Sequence, residues 1–143
     1  KEEGYSQSWL TDPEQAAHFV RETGADFLAV AIGTIHGFYK AEPKLDIPRL
    51  KSIASLVKTP LVLHGSSYTP AEQVKEAIKA GITKINVATE LNVELVKGIQ
   101  TALQRAPEAP YPNQLTDLGR EYFAAAVEAK IKVFGSGKSQ VKE

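Results

Sequence analysis

The chain has 143 residues, 43% of them hydrophobic, with 17 basic side chains against 17 acidic ones. It can bury one core, but it has no net field to attract nucleic acid or an anionic membrane. No apolar run approaches the roughly 20 residues of a bilayer-crossing helix, and with no cysteine there is no disulfide framework, which suits a reducing cytoplasm and restricts any metal to His, Asp or Glu ligands.

The sequence holds no methionine and opens on Lys1, and is read as a fragment, a processed chain or an incompletely represented one. The first helix signal is Thr11-Asp12-Pro13-Glu14, which supplies a cap, a proline for the first turn and a capping-box acid. That helix is expected to run to Thr23 and stop on Gly24. Asp26 to Ile32 follows as an apolar run rich in Val, Leu and Ile, the pattern of a strand buried on both faces. Asp46 to Val57 then places Ile47, Leu50, Ile53, Ala54 and Val57 at helical spacing. Pro60 to His64 reads as a second buried strand. Thr69-Pro70-Ala71-Glu72 repeats the capped start, for a helix from Pro70 to Ala80 that stops on Gly81. Thr83 to Val87 is a weaker third strand, and Thr89 to Gln104 a helix with Leu91, Leu95, Ile99 and Leu103 on one stripe. A loop from Ala106 to Gln114 holds three prolines, a last helix spans Thr116 to Val133, and the tail from Gly135 is expected to be mobile. Strands alternating with helices at this spacing build a parallel sheet, in either a (β/α)₈ barrel or an open doubly wound fold.

Two histidines hold equivalent places. His36 follows the first strand within Gly33-Thr34-Ile35-His36-Gly37, and His64 closes the second before Gly65-Ser66-Ser67. Both stand at the C-terminal end of adjacent strands, where such folds build active sites, so they suit a shared metal; each equally suits a strand cap bonded to backbone. His18 lies within a helix and reads as a surface residue. Gly65-Ser66-Ser67 and Asn86-Val87-Ala88-Thr89 follow the second and third strands, and their small residues and hydroxyls ahead of helix N-termini fit a phosphate cradle or ordinary capped turns. Lys40, four residues beyond His36, fits an anion contact or a solvated charge. Gly135-Ser136-Gly137-Lys138-Ser139 only imitates a nucleotide-binding loop: the first glycine of that motif falls on Lys132, and no strand precedes it. There is no G-x-S-x-G nucleophile elbow.

The segments Leu28-Ala29-Val30-Ala31-Ile32-Gly33-Thr34-x-His36-Gly37-x-Tyr39-Lys40, Pro60-Leu61-Val62-Leu63-His64-Gly65-x-Ser67 and Lys84-Ile85-Asn86-Val87-Ala88-Thr89-Glu90 together resemble the class II, zinc-dependent ketose-bisphosphate aldolases, from about Thr11 to Gly135. The resemblance implies a TIM (β/α)₈ barrel of which residues 1–143 supply the C-terminal half, the N-terminal half being absent. It implies reversible cleavage of a ketose 1,6-bisphosphate to dihydroxyacetone phosphate and glyceraldehyde 3-phosphate, with Zn²⁺ as cofactor and a monovalent cation, Na⁺ or K⁺, as a further candidate. By the same resemblance His36 and His64 correspond to two of three zinc ligands, and Glu2 to a secondary metal or polar-network residue. Gly37, Lys40, Gly65, Ser67, Asn86 and Thr89 correspond to residues holding dihydroxyacetone phosphate, with Ser66, Val87 and Ala88 lining the same loops.

No catalytic acid/base lies in this chain on that reading. The family's Asp-His pair, which moves the proton and completes the metal site, belongs to the missing half. Ala88 stands where many fructose-bisphosphate enzymes carry aspartate, which tilts the substrate toward tagatose 1,6-bisphosphate. Tyr68 stands where relatives commonly have a small residue, and the loop Gly4 to Leu10 is shorter than usual. The family further implies a cytoplasmic homodimer or homotetramer. The competing readings are an aldolase for another phosphorylated keto-sugar, such as a deoxy-gluconate phosphate, or a non-catalytic phosphate-binding half-barrel.

Overall fold

The computed structural model describes residues 9–39, 41–108 and 111–137. Glu2, Lys40, the loop up to residue 8 and the tail from residue 138 lie outside the described residues. The chain forms two compact units, residues 1–87 and 88–143. Among the described residues no helix is long and apolar enough to cross a membrane.

The first unit runs α1 (Pro13–Thr23), β1 (Leu28–Ala29), α2 (Ile47–Leu56), β2 (Leu61–Leu63), α3 (Ala71–Lys79) and β3 (Ile82–Ile85). Its start and stop signals act as their chemistry dictates. Asp12 Oδ1 accepts from the Gln15 N–H at 2.9 Å with Pro13 in the first turn, and Gly24, at φ +62°, closes α1 by donating to the Val20 carbonyl. Asp46 caps α2 in the same way through the Arg49 N–H, and its other oxygen accepts from Arg49 Nε at 3.0 Å. The expected cap on α3 does not form. Pro70 occupies the cap position, no side chain accepts there, and the Thr69 hydroxyl is buried without a hydrogen-bond partner among the described residues. With a proline at the cap the chain enters α3 extended, at ψ 136°, and Thr69 is carried inward instead of over the first turn.

The strands form one parallel sheet in the order β1-β2-β3. β1 is far shorter than the run Asp26 to Ile32, because only its middle finds a ladder partner. Leu28 donates to the Pro60 carbonyl and Val30 to that of Val62, while on the opposite edge Ala31 exchanges bonds with Thr11: its N–H goes to Thr11 Oγ1 at 2.8 Å and its carbonyl accepts from the Thr11 N–H at 2.9 Å. The register pairs Leu28, Leu61 and Ile82 in one row and Ala29, Val62 and Lys84 in the next. Side chains alternate across a strand, and a register shift between Leu61 and Val62 leaves one extra residue in β3, so Ile82 stays with the first row although Lys84, two residues on, belongs to the second. The first row faces α1 to α3 and joins a core containing Ile32, Leu50, Ile53, Val57, Leu63 and Ala77. The second row lies on the face away from those helices, where Ala29 and Lys84 are exposed.

The second unit consists of α4 (Thr89–Arg105) and α5 (Pro112–Phe134). Helix α5 starts four residues earlier than its sequence pattern suggests, since Pro112 serves as the first-turn proline in place of a loop residue. Leu91, Leu95 and Ile99 of the leucine stripe are half-buried, whereas Leu103 is 43% exposed and the fully buried residues of α4 are Gly98 and Ala102. Glycine allows that close packing: a Cβ on Gly98 would come within 2.6 Å of Gly119 Cα, so the helix backbones touch where neither has a side chain.

Candidate active site

β2 ends at Leu63, so His64 is the first residue beyond the strand and lies two past Val62, on the sheet face away from the helices. His36 arrives by a longer route. The loop leaving β1 returns to α2 through a bond from the Asp46 N–H to the Ile32 carbonyl at 2.8 Å. Only glycine fits at its base, because a Cβ on Gly33, at φ +112°, would stand 2.6 Å from the Lys44 carbonyl oxygen. Gln73 on α3 secures the returning strand of the loop, its Oε1 accepting from the Leu45 N–H at 2.8 Å and its Nε2 donating to the Pro43 carbonyl at 2.9 Å.

The two loops bring His36 and His64 together, both exposed, with ring centroids 5.7 Å apart and ring planes at 61°. A zinc–nitrogen bond of about 2.0–2.1 Å would put each centroid about 3.2 Å from an ion, so two ligands at a tetrahedral angle would have centroids about 5.2 Å apart. The observed spacing is within half an ångström of that value, and imidazole is a donor suited to zinc. The separation of the two rings therefore suits a shared metal ion. Among the described residues no third His, Cys, Asp or Glu joins it, and His18 takes no part, lying exposed on α1 beside Arg21 and Glu22.

Asn86 completes this cluster from the end of β3. Its Nδ2 sits 3.1 Å from His64 Nε2 and 3.2 Å from Nδ1, and its Oδ1 accepts from Lys84 Nζ. Lys84 and Asn86 are two residues apart and so share the face that His64 occupies. The chain Lys84–Asn86–His64 lays a fixed cation and an amide along one side of the imidazole. Lys84 was not singled out by sequence; its spacing from Asn86 along a strand was the signal that could have identified it.

Gly65, Ser66 and Ser67 form the turn after His64. Gly65 takes φ +67°, the Ser66 N–H donates to the Asn86 carbonyl, and both serines are buried, at 1% and 3% exposure. The Ser66 hydroxyl has no hydrogen-bond partner among the described residues. Tyr68 follows at φ +59°, a left-handed conformation that favours glycine. Its ring stacks on Phe38 with centroids 5.8 Å apart. Gly37, at φ +91°, has open space where a Cβ would stand. Val87 ends the first unit; Ala88 and Thr89 open the second, at the N-terminus of α4.

A family model of class II fructose-bisphosphate aldolases matches residues 1–139. The chain belongs to the class II fructose-bisphosphate aldolase family. It is similar to the YdjI aldolase from Escherichia coli K12, at 42% identity with a TM-score of 0.73, over 89% of this chain and 46% of that one. It is also similar to a Coccidioides immitis protein assigned as a fructose-1,6-biphosphate aldolase, at 32% identity and a TM-score of 0.78, over 89% of this chain and 44% of that one. The fold alone is shared with fructose-bisphosphate aldolase from Campylobacter jejuni, at 20% identity and a TM-score of 0.76, over 90% and 46% of the two chains. The chain thus spans a little under half the length of these structures.

Proposed function

We propose that this chain is the C-terminal half of a zinc-dependent ketose-bisphosphate aldolase with a (β/α)₈ barrel. The observation that carries the reading is the pair of exposed histidines with centroids 5.7 Å apart, at the C-terminal ends of neighbouring parallel strands. The sheet supports it too. β1 and β3 are its two edges among the described residues, and the face bearing Ala29 and Lys84 is open, so further strands closing a barrel would cover both.

In this proposal His36 and His64 hold zinc through ring nitrogens, with Glu2 as an outer contributor, and a third histidine comes from the N-terminal half. Bound zinc supplies Lewis-acid polarisation of the substrate carbonyl. Asn86 orients the His64 ring through its amide nitrogen. Gly37, Lys40, Gly65, Ser66, Ser67, Asn86, Val87, Ala88 and Thr89 hold the phosphate of dihydroxyacetone phosphate, through backbone N–H groups, hydroxyls and the Lys40 cation. The two serine hydroxyls are buried, so their engagement with phosphate requires loop 65–68 to shift. The acid/base aspartate lies in the N-terminal half. Ala88 favours tagatose 1,6-bisphosphate over the fructose isomer, and a Na⁺ or K⁺ ion, a cytoplasmic location and a homodimer or homotetramer complete the reading.

The test is to measure bound zinc and cleavage of tagatose and fructose 1,6-bisphosphates in the complete enzyme, with His36→Ala and His64→Ala variants. Both variants are expected to lose tight zinc binding and turnover. Near-normal turnover in His64→Ala would overturn the assignment, and faster cleavage of a deoxy-gluconate phosphate would move the substrate.

A further inference from the structure

The two histidines belong to loops that leave different strands, and their exposed rings stand 5.7 Å apart with Asn86 beside the His64 ring. Their spacing also depends on how the two loop backbones are held together, and the described residues show one such tie. The Ile35 N–H donates to Tyr39 Oη at 3.1 Å, and Tyr39 Oη–H donates to the Gly65 carbonyl at 2.7 Å. Ile35 immediately precedes His36 and Gly65 immediately follows His64. One half-buried phenol oxygen therefore spans 26 residues of sequence to join the backbone beside one imidazole to the backbone beside the other.

The seam at this point is close. A Cβ on Gly65 would stand 2.4 Å from the Ile35 carbonyl oxygen, so the two backbones abut and the tyrosine bonds them in register. The O–H···O distance is at the optimum for such a bond, and the oxygen both donates and accepts. The Phe38–Tyr68 stack also joins the loops, but ring stacking tolerates sliding and fixes no backbone distance.

We propose that Tyr39 is a positioning residue whose hydroxyl sets the separation of His36 and His64 for a shared metal ion. The inference rests on the zinc reading above and adds to it the group that preorganises the pair. Hydrogen-bonding partners of metal ligands are commonly worth about 10- to 100-fold in metal affinity, and a brace on the residue next to each ligand is expected at the lower end of that range.

The experiment uses the complete enzyme and compares wild type with Tyr39→Phe, which keeps the ring and removes only the oxygen. Zinc affinity is measured by competition with a chelator, the visible spectrum of the Co²⁺-substituted protein reports ligand geometry, and the melting temperature of the metal-free protein reports folding. Tyr39→Phe is expected to bind zinc about 10-fold or more weakly, with an altered Co²⁺ spectrum and a metal-free melting temperature within a few degrees of wild type. 3-Fluorotyrosine at position 39 retains the hydroxyl and is expected to keep wild-type affinity. Unchanged affinity and spectrum in Tyr39→Phe, with His64→Ala still abolishing zinc binding, would overturn the brace and leave the zinc site standing. Equal losses with phenylalanine and fluorotyrosine would assign the effect to ring packing and also overturn it. Zinc retained by His64→Ala would remove the zinc reading and the brace together.

Discussion

Gly65→Ala tests the seam between the two histidine loops by filling it. Two separate penalties meet at this position. At φ +67° a side chain costs about 1–2 kcal/mol because Cβ crowds the following carbonyl. The added Cβ would also stand 2.4 Å from the Ile35 oxygen and 2.6 Å from its carbonyl carbon, so the loops must part by close to an ångström, and overpacking of this kind costs about 1–3 kcal/mol. The expected loss is thus about 2–5 kcal/mol, a large share of the roughly 5–15 kcal/mol that keeps a domain folded. Gly24→Ala is the matching control: φ is +62°, yet nothing lies within 4 Å of the new Cβ, so only the conformational penalty applies. Urea unfolding of the complete enzyme is expected to show Gly65→Ala well below Gly24→Ala in midpoint, with zinc affinity lost in the former alone. Equal midpoints and equal zinc affinity in the two variants would refute the reasoning.

In the second unit, Gly98→Ala gains about 1 kcal/mol of helix propensity, but its Cβ meets Gly119 Cα at 2.6 Å and the Leu118 carbonyl oxygen at 2.7 Å; the packing cost wins, and thermal unfolding is expected at lower temperature. Asp46→Ala removes the cap on α2 and should cost about 1–2 kcal/mol in urea unfolding, whereas Thr69→Ala, at a position that caps nothing, should leave α3 at least as stable. The Glu72 carboxyl is held below the usual carboxylate range by a hydrogen bond from Lys75 and by that ammonium's charge. Its contribution is therefore present above the ordinary carboxylate pKa and fades as pH falls through the lowered value, and Lys75→Ala is expected to raise the Glu72 midpoint in an NMR titration.

Much of the first unit is legible because its punctuation is chemical. Asp12, Pro13 and Gly24 mark α1, and Asp46 marks α2, through bonds local enough to be read from a few neighbouring residues. Thr69 shows the limit of that method: the same Thr-x-x-Glu pattern precedes α3, but Pro70 takes the cap position and turns the hydroxyl inward. β1 is shorter than its apolar run because apolar composition specifies burial, while the ladder depends on partners at residues 60 and 62 and on Thr11, 20 residues from Ala31. The contact between Gly98 and Gly119 is similarly invisible to periodicity, which sees large apolar residues and overlooks two glycines that let backbones touch. At the site, His36 and His64 could be picked out by their place after strands. The role of Tyr39 is not legible in the sequence, since nothing local shows its hydroxyl reaching Gly65. Lys84 carries no local sign of a site residue, since only the strand register places it on the open face in line with Asn86.

The claim that this chain supplies half of a divided active site is tested most directly by complementation. Residues 1–143 are expressed alone and then mixed with the N-terminal half of the barrel, and zinc stoichiometry and ketose-bisphosphate cleavage are measured before and after mixing. Absence of a general base commonly costs on the order of 10²- to 10⁴-fold in rate, and a site short of one histidine holds zinc weakly. The account predicts little bound zinc and no cleavage from the chain alone, and one zinc per complex with cleavage after mixing; a monodisperse, zinc-loaded and fully active isolated chain would contradict it.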